Sequence, residues 1–288
     1  MKTICIKTNN LKALNYLLEN FKKIELDDIY FSCHKFNIYN NIFIHYKGDN
    51  INTFFNLVSN ILAFLVLDIY EDNITNKILQ NEYFYFDSLE REDILNIFRD
   101  ICLENIEDFE IRETLLLDCF NSFFKQNHFH KNICSFYLNG FITFRLKSYI
   151  SKLEQMIDNA VNRYLIEKEY TEFVSLLKIY VNSEKSKTDL VHLVYRCESK
   201  NMDSFLLDKN KHIIKTDINL LNAKYLSDIS FSASDMILNT LLNILPKKIY
   251  VHLHDEDDED EFISTLELIF EGRIVICSDL NVGVKSDR

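Results

Sequence analysis

The residues best suited to chemistry lie near the C-terminus, where Val251-His252-Leu253-His254 runs into the acidic stretch DEDDEDE at 255–261. In an extended chain successive side chains alternate between faces, so His252 and His254 fall on the same side. Two imidazoles followed by carboxylates offer donors suited to a divalent transition metal. In an open α/β sheet they would also sit at the carboxyl end of a strand, where such sheets bind ligands. A metal site needs a third placed ligand, and the sequence identifies none. The plainer reading is a strand end, then a solvated acidic loop whose charge suits the positive N-terminal end of the next helix. No cofactor is therefore expected, and His252 and His254 stand only as candidate metal ligands.

Other catalytic signatures are absent. The four glycines, Gly48, Gly140, Gly272 and Gly283, form no phosphate-cradling loop, and no G-x-S-x-G or H-E-x-x-H occurs. The seven cysteines lie at positions 5, 33, 102, 119, 134, 197 and 277, with no C-x-x-C spacing. They read as free thiols of a reducing cytoplasm. His128-Phe129-His130 lies in a polar break and reads as a surface loop. These observations lean against an enzyme.

A second group of candidates lies in the central block. Gly140 to Lys187 carries eight basic and six acidic residues, mildly positive in a chain whose net charge is −12. The polar face of its amphipathic helix mixes Arg145, Lys152 and Arg163 with Glu154 and Asp158, and Arg145, Lys152, Arg163, Glu167, Lys168 and Glu169 are the candidate partner-binding residues. Such a face could dock a protein partner. Nucleic acid is not expected, because the overall balance is acidic and a phosphate binder concentrates Lys and Arg on one face.

The elements that must position these residues follow from hydrophobic spacing. With 47% apolar residues, 23 Phe, 15 Tyr, one Pro and no Trp, the chain has a large core to bury. Residues 3–8 read as a strand, Leu11–Phe21 as a helix, and Ile29–Phe36 with Ile38–Tyr46 as two β-rich runs. From Ile51 to about Phe124 the spacing is helical. Leu57, Ile61, Phe64 and Leu65 mark the expected buried face of the first helix, and a second helix should begin near Asp87 or Ser88. The apolar run over 54–70 is broken by Asn56, Ser59, Asn60 and Asp68, so it reads as a core helix and membrane insertion is not expected. Ile142, Leu146, Tyr149, Leu153, Ile157 and Val161 give a long helical stripe. After NSEKSKTD at 182–189 come a strand from Leu190, a hairpin over 205–214, a helix stopped by Pro246, a strand over Lys248–Leu253, a helix ending at Gly272 and a strand over Arg273–Cys277. This alternation implies a mixed sheet with crossover helices. The expected class is α+β: a strand-and-helix region over 1–135, central amphipathic helices over 136–187 and a mixed α/β region over 188–288.

The central block also carries a resemblance. Phe144-Arg145-Leu146-Lys147, Tyr149, Asp158, Ala160-Val161, Tyr164-Leu165, Glu167-Lys168-Glu169-Tyr170 and Glu172-Phe173 resemble the YtxC-like sporulation proteins of endospore-forming bacteria. The similarity extends to Leu190–Leu193, Pro246-Lys247-Lys248-Ile249 and Arg273–Cys277. It implies a sporulation context and a cytoplasmic chain, but no catalytic residue. Together these readings favour a non-enzymatic cytoplasmic factor that works through protein–protein contacts. The alternative is a metal- or nucleotide-dependent enzyme using the carboxyl edge of the C-terminal sheet near His252 and His254.

Overall fold

The computed structural model describes residues 1–24, 27–128, 133–195, 204–214, 232–253 and 261–277. His254, the acids at 255–260, Phe129-His130 and Cys197 lie outside them. The chain is α+β and forms two compact units, Met1–Ile166 and Glu167–Arg288. The division falls inside the central block, residues 136–187.

The first unit is built on a four-stranded sheet of order β2-β3-β1-β4. Strand β1 (Lys2–Thr8) is central and almost wholly buried. Helix α1 (Leu11–Lys22) follows, and the Asn10 side chain caps it by accepting from Lys12 N at 2.9 Å. Strands β2 (Ile29–Phe36) and β3 (Tyr39–Tyr46) form an antiparallel hairpin, turned at Asn37 with a left-handed φ of 53°. Asparagine tolerates that conformation better than most residues. Strand β4 (Ile133–Tyr137) pairs in parallel with β1. Strand β4 has no counterpart among the expected elements, and its Cys134 and Phe136 are buried while the residues between and beside them are exposed.

Helices α2 (Ile51–Leu65), α3 (Glu71–Glu82), α4 (Ser88–Glu104), α5 (Ile106–His128) and α6 (Leu138–Arg145) complete this unit with the first part of α7 (Lys147–Ser183). The buried face of α2 differs from the expected one. Phe54, Phe55, Val58, Leu62 and Leu65 enter the core, while Phe64 is exposed and Leu57 and Ile61 are half-buried. A helix apolar on nearly all sides does not specify its own inward face. Packing on α5 does, and buried Ser59 marks the contact by bonding Asn121 at 2.9 Å. By length and composition Ile51–Glu82 would suffice to cross a membrane, yet its apolar residues contribute to this core. Phenylalanines fill the interior, with Phe120 stacked on Phe141 at 4.6 Å and Phe55 on Phe124 at 5.7 Å. Helix α4 starts as expected, with Asp87 and Glu90 forming a capping box.

The second unit contains the last part of α7 and a five-stranded sheet of order β7-β6-β5-β8-β9. Strand β5 (Thr188–Val194) pairs in parallel with β8 (Pro246–His252), and β8 with β9 (Ile274–Cys277). Strands β6 (Phe205–Leu207) and β7 (Ile213–Ile214) extend the sheet as the expected antiparallel hairpin. Helix α8 (Ala233–Ile244) starts at a Ser232–Asp235 capping box and ends at Leu245. Pro246 then opens β8. Helix α9 (Glu261–Ile269) is followed by Gly272 at a φ of 74°, a left-handed position that glycine adopts without strain. Val174 and Val181 of α7, Ile237 and Leu241 of α8, and Ile263 and Leu266 of α9 share a core with Val191, Leu193, Ile249 and Val251 of the sheet.

One side chain ties this unit's ends together. Arg273 donates to the carbonyls of Val181 at 2.8 Å and Pro246 at 3.2 Å, and to Ser186 Oγ at 3.3 Å. The guanidinium fork reaches the end of α7 and the start of β8 at once, which a lysine ammonium on a flexible stem does not reproduce. Arg273→Ala should therefore cost about 2–4 kcal/mol, since hydrogen bonds from a charged donor contribute more than neutral ones. Arg273→Lys should recover little of it. Calorimetric unfolding of both variants checks this, and an unchanged melting temperature in either would contradict it.

Candidate functional site

Two of the six charged residues expected to form a docking face, Lys152 and Arg163, form ion pairs within the first unit. Lys152 binds Asp108 of α5 at 2.6 Å, with both side chains mostly buried. Arg163 lies 3.6 Å from Glu104 at the end of α4. Arg145 is exposed at the end of α6, and its carbonyl accepts from the Cys119 thiol at 3.3 Å. Glu167, Lys168 and Glu169 are exposed on α7. Lys152 and Arg163 therefore spend their charge on acids of neighbouring helices, whereas Arg145 and Lys168 remain at the surface.

What α7 presents in the second unit is apolar. Phe173, Leu176, Ile179 and Tyr180 are 53%, 65%, 62% and 41% exposed. Their spacing of three and four places them along one side of the helix. Val174 and Val181 face the opposite way, into the core. Exposed Glu169 and Glu172 accompany the apolar row. Four large apolar side chains on one helix side form a contiguous patch, unlike singly scattered surface residues.

His252 has a partner the sequence did not suggest. His192 Nδ1 lies 2.9 Å from His252 Nε2. Strands β5 and β8 run in parallel with Val194 opposite His252, so the two imidazoles are diagonal neighbours at the carboxyl ends of adjacent strands. They occupy the face opposite Val191, Leu193, Ile249 and Val251. The ring centroids are 5.2 Å apart. That equals the nitrogen separation plus the two ring radii, so the nitrogens point at each other along the line between the rings. Chelation would require their lone pairs to converge on a third point. The arrangement is that of a hydrogen bond between the two imidazoles, one donating and one accepting. Burial, His252 and Lys211 hold the His192 pKa below its usual 6.5. Among the described residues no three potential ligands gather for a metal.

Among the described residues, a buried polar cluster in the first unit joins side chains that no sequence motif links. Helix α2 passes into α3 through a π-turn, Val66–Tyr70, in which the Glu71 N–H reaches the Val66 carbonyl five residues back. Such turns recur at functional positions. Glu71 then pairs with Arg112 of α5 and accepts from the Tyr149 hydroxyl of α7. Arg112 and Tyr149 are 3% and 1% exposed. Burial and the Glu71 charge hold the Tyr149 phenol far above its ordinary range, so it remains a donor. Burial alone would lower the Arg112 pKa, but Glu71 holds it above its usual value. Next to the cluster, buried Tyr70 donates to Asn139 Oδ1 of α6 at 3.0 Å.

These elements define an α+β protein with two compact units, in which a single long helix carries the central signature. The chain belongs to the YtxC-like family, whose sequence profile matches residues 56–275. It is 24% identical over 219 residues to "Uncharacterized protein YtxC" of Bacillus subtilis strain 168, a match covering 74% of each chain. No solved structure matches it. The matched span contains Glu71, Arg112, Tyr149, the exposed row of α7, both paired histidines and Arg273.

The lowered His192 pKa gives the pair a pH signature. Above about pH 6.5 both the folded and unfolded imidazole are neutral, and the group has no pH-dependent effect. As pH falls through that value the unfolded imidazole takes up a proton first, so folding stability drops. His192→Gln should flatten that acid-side loss between pH 7 and 5 in denaturant titrations. An unchanged slope would contradict the assignment.

Proposed function

We propose that this chain is a cytoplasmic sporulation factor that catalyses no reaction and acts by binding another protein. The observation that carries the reading is the exposed row Phe173, Leu176, Ile179 and Tyr180 on the family's signature helix. Its chemistry suits an amphipathic partner helix that brings its own apolar row and basic residues against Glu169 and Glu172. This differs from a charge-led docking face, since Lys152 and Arg163 are engaged within the first unit. Family membership supports the sporulation context.

The test is a strain in which Leu176→Glu and Ile179→Glu replace the native residues. Both positions are solvent-exposed, so the chain should fold and accumulate normally. Spore yield should fall to that of a deletion strain, and a photo-crosslink placed at Phe173 should lose its specific partner. Wild-type sporulation at normal protein level would contradict the proposal.

The place of the histidine pair, at the carboxyl ends of parallel strands, favours a second reading, a metal- or nucleotide-dependent enzyme working at that edge of the second sheet. Its discriminating result is a rise in melting temperature with millimolar nucleotide, lost in His192→Gln. A ligand at a hundred times its Kd adds about 2.7 kcal/mol.

A further inference from the structure

The first unit contains a cleft of about 460 Å³, within the size range of small-molecule sites. One wall is a face of α3, the second is α6 and the third is the start of α7. Its floor is hydrocarbon: Ile74 and Ile78 from α3, Ile142 from α6 and Ile150 from α7. Ile78 and Ile142 are almost fully buried, while Ile74 and Ile150 are partly open to the cleft.

One end of the cleft is acidic. Glu82 closes α3 there, and Glu154 stands one turn beyond Ile150 on α7. The two carboxylates are close enough that Glu82, after burial, is the main influence raising the Glu154 pKa, with Asp158 adding to it. Asp158 is itself engaged by the Tyr83 hydroxyl. Among the described residues no ion pair includes Glu82, Glu154 or Lys77 of the same wall. Two like charges thus face a concave apolar surface, and among the described residues neither is ion-paired to a protein cation, Lys77 of the cleft wall included. A ligand cation placed there would remove their repulsion, and a short hydrocarbon chain would cover the isoleucines.

We infer that the cleft between α3, α6 and α7 binds a small primary ammonium compound, with its charged head between Glu82 and Glu154 and its alkyl chain on the four isoleucines. The cleft is concave and small, which fits a free amine and distinguishes this site from the convex row on α7. The required chemistry is a protonated amine on a chain of several carbons. An anion of the same length would meet two carboxylates, and an uncharged alcohol would leave their repulsion in place.

The test uses the full chain with three probes of equal length: n-hexylammonium, n-hexanol and hexanoate. Binding is followed by titration calorimetry and by chemical-shift changes of isoleucine methyl groups. Hexylammonium should bind saturably and shift the methyl signals of Ile74 and Ile150. Hexanol should bind at least about tenfold more weakly and hexanoate weaker still, a tenfold difference being about 1.4 kcal/mol. Glu154→Gln, a half-exposed isosteric change, should weaken hexylammonium about tenfold while melting temperature is maintained. Glu82→Gln should act in the same direction. Absence of saturable binding, equal binding of the three probes, or undiminished binding to Glu154→Gln would each overturn the assignment.

Discussion

The first unit depends on an ion pair largely withdrawn from water. Arg112 and Glu71 have side chains only 4% and 14% exposed. Removing two charges from water costs several kcal/mol each, and close pairing with further hydrogen bonds is needed to offset it. The Tyr149 hydroxyl occupies the second Glu71 oxygen, and Arg112 Nε donates to the Asp108 carbonyl at 3.3 Å. Because the partners come from α3, α5 and α7, satisfying the pair fixes three helices together. The Lys152–Asp108 contact fastens α5 to α7 a second time. Truncating one partner would leave the other charged and buried, so the helices have little freedom to re-register.

That constraint reaches the surface through α3. Glu71 opens this helix, and the same helix lines the cleft with Ile74, Ile78 and Glu82. Tyr70, held by Asn139, sets the position of α6 at the other end. The π-turn reconciles two demands on one continuous helical segment. Before it, α2 buries Val58, Leu62 and Leu65; after it, Glu71 meets Arg112. The second unit uses a different device. Parallel strands joined through helices supply its order, Arg273 ties α7 to β8, and the sheet face away from the core carries the paired imidazoles.

Much of the architecture was legible in the sequence because short-range rules determine it. Asp87 with Glu90, Ser232 with Asp235, Pro246 and Gly272 each announce a boundary through local geometry. The β6–β7 hairpin was visible in the same way. What was not legible required partners distant in sequence. His192 and His252 are sixty positions apart and meet only because β5 and β8 pair in one particular parallel register. Arg112 sits in the charged first turns of α5, among Glu107, Asp108, Glu110 and Glu113, so its burial follows only from the placement of Glu71 and Tyr149. Lys152 and Arg163 were readable as charged residues, but not their pairing with Asp108 and Glu104. Strand β4, only five residues long, lies between a polar break and a helix, and its pairing with β1 determines it.

The most direct test of the account is a double-mutant cycle on Glu71→Gln and Arg112→Met, read by equilibrium unfolding. Each single change leaves one buried charge without its partner and should destabilise by about 3–5 kcal/mol. Removing both together should cost much less than the two losses added, giving a coupling energy of about 2 kcal/mol or more. Additive losses, with coupling below about 0.5 kcal/mol, would contradict the claim that this buried pair organises the unit.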